Sequence, residues 1–407
     1  MTAGLAIFML ALLVSGARAA AQTETTLYSF GVTTRDADVP WAGLTFDGAG
    51  NLYGITADGG TFGSGAVFEL SPQAGGGWKE KVLHSFNNTG NGGYFPQGAL
   101  VMDGAGNLYG TTGFSGAHSA GTLFELLPQA GGVWSGKVLH QFGGTAMDGS
   151  SPEANLIFDN AGNLYGTTYG GGAHHGGIVF ELSPATGGFW TEKVLHTFNG
   201  SKDGAAPHGG LLFDAAGNLY GTTVSGGTYQ GGTVFELTPV AGGRWTEKVL
   251  HNFSDTTSDG GFPEGSLILD AAGNLYGTTL GGGATGNGTV FELTSSAGGT
   301  WTETVLHNFV NDGTDGFLPV SNLIFDAAGN LYGTTNGGGA YKFGIVFKLM
   351  SSVGGSWTET VVHNFNNNGT DGTTPQSNLI FDAAGNLYGV ASQGGAHGGG
   401  TVFEITP

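Results

Sequence analysis

The chain has 407 residues, of which 82 are glycine and none is cysteine; charged residues make up 10% and the net charge is −20. The lack of cysteine excludes disulfides and thiolate metal sites, and 11 Lys plus Arg against 31 Asp plus Glu repel phosphate backbones and exclude nucleic acid as a main partner. Glycine at this level suggests low complexity unless it falls at fixed places; here it does, and aromatics reach 11%, so the glycines mark folded turns.

The first element is a targeting segment. Residues 5–16, LAIFMLALLVSG, form an apolar run too short to span a bilayer comfortably. Ala17 and Ala19 follow in the A-x-A spacing of a cleavage site, although the stretch ahead of the run lacks Lys and Arg. Residues 1–21 are expected to be a signal peptide, and 22–407 a mature chain that is secreted or periplasmic in a bacterium. No later segment is apolar enough to cross a membrane.

A short strand is expected at 26–30, TLYSF, followed by a loop in which Asp36 precedes Pro40. From there one unit recurs. The Asn of a GNLYG core stands at Asn51, Asn107, Asn163, Asn218, Asn274, Asn330 and Asn386, in steps of 55 or 56 residues. Repeats of this length are stacked supersecondary units.

Residues 322–365 show one unit. NLIFD and LYGTT flank AAGN, which predicts a hairpin: Gly329 adopts positive φ at no steric cost and Asp326 bonds the turn amides. A glycine loop follows, and then IVFKLM, which alternates as a half-buried strand does. After the turn SSVGGS comes WTETVVHNF, a fourth strand. No helical period occurs. Seven four-stranded units predict an all-β chain folded as a seven-bladed β-propeller; a parallel β-helix would need shorter coils.

The last unit, 376–407, stops at TVFEITP after its third strand, and TLYSF at 26–30 matches the fourth-strand pattern, with Tyr28 where the other copies carry His. The N-terminal strand is therefore expected to complete the final blade as its outermost strand, which removes two exposed sheet edges. The LIFD strands then line the central channel, and the Asp–Gly–Pro loops and glycine loops share one face, the top.

NLIFDAAGNLYGTT, GTVFEL and WTETVLHNF, taken with the glycine loop, resemble the Gloeo/Verruco-type tandem repeat of secreted bacterial proteins over nearly the whole mature chain. The glycine doublets and the Trp opening the fourth strand are similar to kelch propellers, and DAAGNLYG more faintly to sensor propellers and gluconolactonases. These likenesses imply a fold and carry no chemistry.

Several repeated residues have structural readings. The fourth-strand His (His84, His140, His196, His251, His307, His363) sits on six blades and cannot gather at one metal, so it is read as a hydrogen-bonding residue. The hairpin Asp is read as a turn cap and the fourth-strand Trp as blade packing. Two sets on the top face are candidates for binding. One is the loop acid four residues before each Pro: Asp36, Asp148, Asp203, Asp259, Asp315 and Asp371, with Gly92 in the odd repeat. Such a ring could hold Ca²⁺ through hard oxygens, against the plainer reading of Asx turns. The other is the variable tip of the glycine loops: Phe62, His118, His174, Tyr229, Thr285, Tyr341 and His397. Rings among glycines suit stacking on sugar faces, against the alternative of packing between blades.

No nucleophile elbow, P-loop or H-E-x-x-H motif occurs. The expectation is a monomeric extracytoplasmic binding or scaffold propeller for a glycan or a protein, with no catalytic residue and no resident cofactor. The alternative is a propeller enzyme of lactonase or polysaccharide-degrading type, using Asp at the channel mouth and Ca²⁺. An enzyme should bring non-repeated polar residues together at that mouth.

Overall fold

Each repeat opens with a hairpin that its own residues close. In the fourth repeat Asp214 Oδ1 accepts the amides of Ala216 and Asn218 at 2.8 and 2.9 Å, while Oδ2 accepts the Asn218 side-chain amide at 2.8 Å and the Tyr220 hydroxyl at 3.2 Å. Gly217, at φ +84°, supplies the left-handed turn residue. Burial pushes the Asp214 carboxyl up, but these bonds outweigh it and hold the pKa below the usual 3.8. The other hairpin acids, Asp47, Asp103, Asp159, Asp270, Asp326 and Asp382, are held down by the same kinds of bond.

The computed structural model describes residues 22–33, 35–88, 92–296, 298–352 and 354–406. The expected signal peptide lies outside them. Among the described residues there are seven blades of four antiparallel strands. Blade four runs outward from Leu212–Phe213 through Leu219–Thr223 and Thr233–Val240 to Arg244–Asn252. The second strand is buried at every position because both of its faces are covered. The outermost strand alternates with solvent and carries a bulge: Val234 pairs His251 and Phe235 pairs Val249, which leaves Leu250 as the extra residue. A bulge re-aims the side chains beside it, and the His next to it turns toward the following loop, as described below.

Apolar clusters straddle neighbouring blades and do not fill one central core. The Phe ending each outermost strand packs against a Phe in the third strand of the next blade. Ring centroids lie 4.9–5.2 Å apart in all seven joints, from Phe30–Phe68 round to Phe365–Phe403. The ring closes as the sequence requires: Thr23–Ser29 pairs antiparallel with Thr401–Thr406, Thr23 opposite Thr406 and Ser29 opposite Thr401.

One strained residue recurs in every blade. The residue before the loop Pro is left-handed although none of the seven is glycine: Val39, Phe95, Ser151, Ala206, Phe262, Leu318 and Thr374 have φ between 53° and 61°. This conformation costs roughly 1–2 kcal/mol for an L-residue. It persists because the amide reaches back to the glycine loop of the preceding blade, as Ser151 N does to Ala120 O at 2.8 Å and Phe262 N to Gly231 O at 2.7 Å. The following Pro packs on the glycine loop of the preceding blade, as Pro152 does beside Gly121, and the residue after it lines the channel mouth.

Candidate functional site at the channel mouth

The residue after each loop Pro stands at the top of the channel. These are Trp41, Gln97, Glu153, His208, Glu264, Val320 and Gln376, and together they line one cavity of about 70 Å³. Each blade contributes one residue, and the set is varied where the surrounding repeat is nearly uniform. Below it the floor is made of small residues such as Ala42, Ala154, Gly209 and Ser377, because the chains crowd there. A Cβ on Gly209 would lie 2.7 Å from Gly265 O. The next layer ties blade to blade: Asn155 Oδ1 accepts Ala99 N at 2.6 Å, Asn322 Oδ1 accepts Ser266 N at 2.6 Å, and Asn378 Oδ1 accepts Asn322 N at 3.0 Å. The mouth residues therefore rest on a rigid collar.

The mouth has two chemically distinct sides. Blades three to five supply Glu153, His208 and Glu264. His208 Nε2 is 3.6 Å from Glu153 Oε2, and the Glu153 side chain is only 15% exposed. Burial pushes the Glu153 carboxyl up, His208 opposes this and Glu264 adds to it. Tyr169 stands at right angles to His208 with centroids 6.4 Å apart. Blades one and two supply aromatics: Trp41 meets Phe95 at 6.3 Å, and Phe114 lies 5.8 Å from both Phe95 and Tyr94. A ligand at the mouth would meet acid, base and hydroxyl on one side and flat apolar surface on the other.

The candidates singled out from sequence stand elsewhere. The glycine-loop tips Phe62, His118, His174, Tyr229, Thr285, Tyr341 and His397 are all exposed, with Phe62, Tyr229 and Tyr341 at 60%, 63% and 52%. They sit over the ends of the outer strands: Thr228 N, beside Tyr229, donates to Asn252 Oδ1 at 2.8 Å, and Ala340 N, beside Tyr341, to Asn364 Oδ1 at 2.8 Å. No ring contact joins one tip to another among the described residues.

The loop acids lie below the surface, one to a joint. Asp36, Asp148, Asp203, Asp315 and Asp371 are buried and Asp259 half-buried. Each accepts from the His or Tyr of its own blade's outermost strand: His196 Nε2 to Asp203 at 3.2 Å, His307 to Asp315 at 3.1 Å, and the Tyr28 hydroxyl to Asp36 at 3.4 Å. Each also caps its loop, as Val310 N to Asp315 Oδ2 at 2.8 Å shows. The six therefore occupy six separate joints, and no two of them meet.

The mouth residues were missed in the sequence, although a signal was there. The position after the loop Pro reads Trp, Gln, Glu, His, Glu, Val, Gln through the seven repeats, which is more varied than the loop tips.

A closed propeller with an even scaffold and an uneven mouth is the class of protein that this geometry defines. The sequence matches the Gloeobacter/Verrucomicrobia repeat over residues 14–211 and 190–403, and the chain belongs to that family. No curated protein matches it. Among solved structures it is similar to an ancestral GH74 enzyme, at 14% identity and a TM-score of 0.54, covering 90% of this chain and 48% of that one; it thus spans about half the length of that enzyme. It is also similar to a Thermus thermophilus protein provisionally assigned as an oxidoreductase (glucose dehydrogenase), at 16% identity and a TM-score of 0.44 over 95% of this chain and all of that one. A luciferin-regenerating enzyme matches at 12% identity and a TM-score of 0.44, over 77% of this chain and 91% of that one. At these identities the likeness is one of fold alone.

Proposed function

We propose that the protein is an extracytoplasmic binding propeller that takes a glycan at the mouth of its channel. The observation that carries this is aromatic surface: Trp41 beside Phe95 at the mouth, and the exposed loop tips Phe62, Tyr229 and Tyr341. The varied polar residues at the mouth, which an enzyme would also bring together, bear on the second reading below. Trp41 offers a flat surface for a sugar face, and Glu153, His208 and Glu264 offer acceptors and a donor for hydroxyls. The cavity is too small for a sugar ring, so the ligand rests on the mouth and extends over the top face, toward the exposed tips Tyr229 and Tyr341. The extracytoplasmic location rests on the apolar run at 5–16 and the A-x-A spacing after it.

A glycan array probed with the mature protein, with and without Ca²⁺, tests this reading. Trp41→Ala and Glu264→Gln should each weaken a captured glycan about tenfold, the loss of one stacking contact or one charge-assisted hydrogen bond, with thermal stability unchanged. Capture that is indifferent to both substitutions would refute the site.

A second reading is favoured by one observation: two acids, Glu153 and Glu264, share the mouth, and burial pushes the Glu153 carboxyl up, with Glu264 adding to the push. A carboxylic acid beside a carboxylate is the pair needed for general acid and base catalysis of hydrolysis. Release of reducing ends from a polysaccharide panel, abolished by both Glu153→Gln and Glu264→Gln, would decide for it.

A further inference from the structure

The joints between blades hold a repeated cluster that the mouth does not use. In each of six joints the His or Tyr and the loop Asp of one blade meet a Glu from the outermost strand of the next. In three of them a His nitrogen and two carboxylate oxygens lie within 4.8 Å of one another: Glu24, His363 and Asp371; His140, Asp148 and Glu192; His307, Asp315 and Glu359. We propose that these joints are divalent-cation sites of mixed imidazole–carboxylate type, taking a zinc- or manganese-like ion that staples one blade to the next.

Three independent observations carry the proposal. The first is spacing. Donors bound at about 2.0–2.1 Å around a four-coordinate ion lie roughly 3.4 Å apart. His363 Nε2 to Asp371 Oδ2 and His307 Nε2 to Asp315 Oδ2 are both 3.1 Å, and His140 Nε2 is 3.4 Å from Asp148 Oδ1 and 3.9 Å from Glu192 Oε1. In the His140 joint shifts of about half an ångström would admit the ion, with the imidazole proton moved to Nδ1; in the other two the Glu24 or Glu359 carboxylate lies within 4.8 Å and must also turn inward.

The second is an unmet acceptor. Each of the six joints contains one buried carboxylate oxygen without a hydrogen-bond partner: Oε1 of Glu80, Glu192, Glu247, Glu303 and Glu359, and Oδ1 of Asp371. Asp371 is the most enclosed of its cluster, its side chain only 7% exposed. Buried carboxylates normally find partners, and among the described residues no Lys reaches these: the lysine ion pairs go to Glu69, Glu181 and Asp326. A shared proton would satisfy one oxygen of a facing carboxylate pair; a cation satisfies both carboxylates and the imidazole together.

The third is joint loss. In the remaining joint His84 faces Gly136 where the other blades carry the strand Glu, and Gly92 replaces the loop Asp. Both acids are missing from the same joint, and among the described residues none of the orphaned carboxylate oxygens falls there. The two acids serve one purpose, and that purpose needs both. Nitrogen with carboxylate oxygen suits zinc or manganese better than calcium.

The test is metal content and stability of the mature protein, stripped with EDTA and desalted. Titration with ZnCl₂ or MnCl₂, read by calorimetry and by elemental analysis after gel filtration, should give at least three bound equivalents per chain. Saturation should raise Tm by about 5 °C or more, reversed by EDTA. His363→Gln, His307→Gln and His140→Gln should each remove one equivalent. The near-isosteric Glu24→Gln and Glu359→Gln should do the same, and they keep the test alive if a His variant fails to fold. The double variant His174→Ala/His175→Ala, on an exposed loop, should retain every joint equivalent. Absence of retained metal, or a stoichiometry that falls only in the surface variant, overturns the proposal, as does a Tm that rises equally in wild type and in Glu24→Gln/Glu359→Gln.

Discussion

Gly221→Ala should destabilise the protein, although alanine is ordinarily the better residue within a strand. Gly221 lies in the second strand of blade four, and an added Cβ would stand 2.6 Å from Phe235 Cζ and 3.0 Å from Leu211 Cδ2. The Phe235 ring is fully buried and wedged against Phe198 of the preceding blade at 5.1 Å, so it has nowhere to go. Overpacking of this kind costs about 1–3 kcal/mol, and removing a strand glycine returns about 0.5–1 kcal/mol. The net loss should be about 1–2 kcal/mol, read as a lower urea midpoint at unchanged slope. Phe235→Leu makes room for the methyl, so the double variant should show a coupling energy of at least about 1 kcal/mol in a mutant cycle. Gly217→Ala serves as the control: its added Cβ meets nothing within 4 Å, and its only cost is that of φ +84°. Wild-type stability for Gly221→Ala, or strict additivity with Phe235→Leu, would refute the argument. The same clash, at 2.4–2.7 Å, occurs at Gly54, Gly110, Gly166, Gly277, Gly333 and Gly389, and it explains why the third residue of LYGTT is glycine in every blade.

Deleting residues 22–30 should remove the outermost strand of the last blade, expose the Thr401–Thr406 edge and strip Phe68 of its Phe30 partner; loss of that one ring costs about 3–5 kcal/mol, and gel filtration should show oligomers, whereas a monomer of unchanged Tm would contradict the closure. Because the seven hairpin carboxyls are held below their usual pKa in the folded state, the stability they supply is complete above about pH 4 and is lost as pH falls through the lowered folded values. Acid unfolding followed by circular dichroism should show this, and Asp214→Asn should be less stable at pH 7 and converge with wild type at pH 2. Ala206→Gly should leave stability level or raise it by up to about 1 kcal/mol, since glycine relieves the left-handed strain at φ 57°; an ordinary strand-type loss of about 0.5–1 kcal/mol would show that no strain is stored there.

Most of the scaffold was legible in the chain because its causes are local. The Asp326–Gly329 turn and the alternation of IVFKLM act between residues a few positions apart, and seven copies remove the ambiguity of one. The pairing of TLYSF with TVFEIT was also legible, because the strand missing from one end is present at the other. The bulge at Leu250 and the left-handed residue before each Pro were not: the first is a slip of register that strand alternation does not mark, and the second depends on a hydrogen bond to the preceding blade. The two candidate sets from sequence shared a face of the repeat, but a repeat has no inside until the ring closes.

The amino-acid sequence by itself determined the number of blades, the order of strands within each and the joint at which the ring shuts, because turn chemistry and two-residue periodicity are written in contiguous residues. Only the tertiary structure decided that Glu153, His208 and Glu264, some 55 residues apart in the chain, share one mouth, and that His363 and Asp371 face Glu24 from the other end of the protein. Curvature of the ring sets those distances, and curvature comes from how blades pack on one another, which no single repeat encodes.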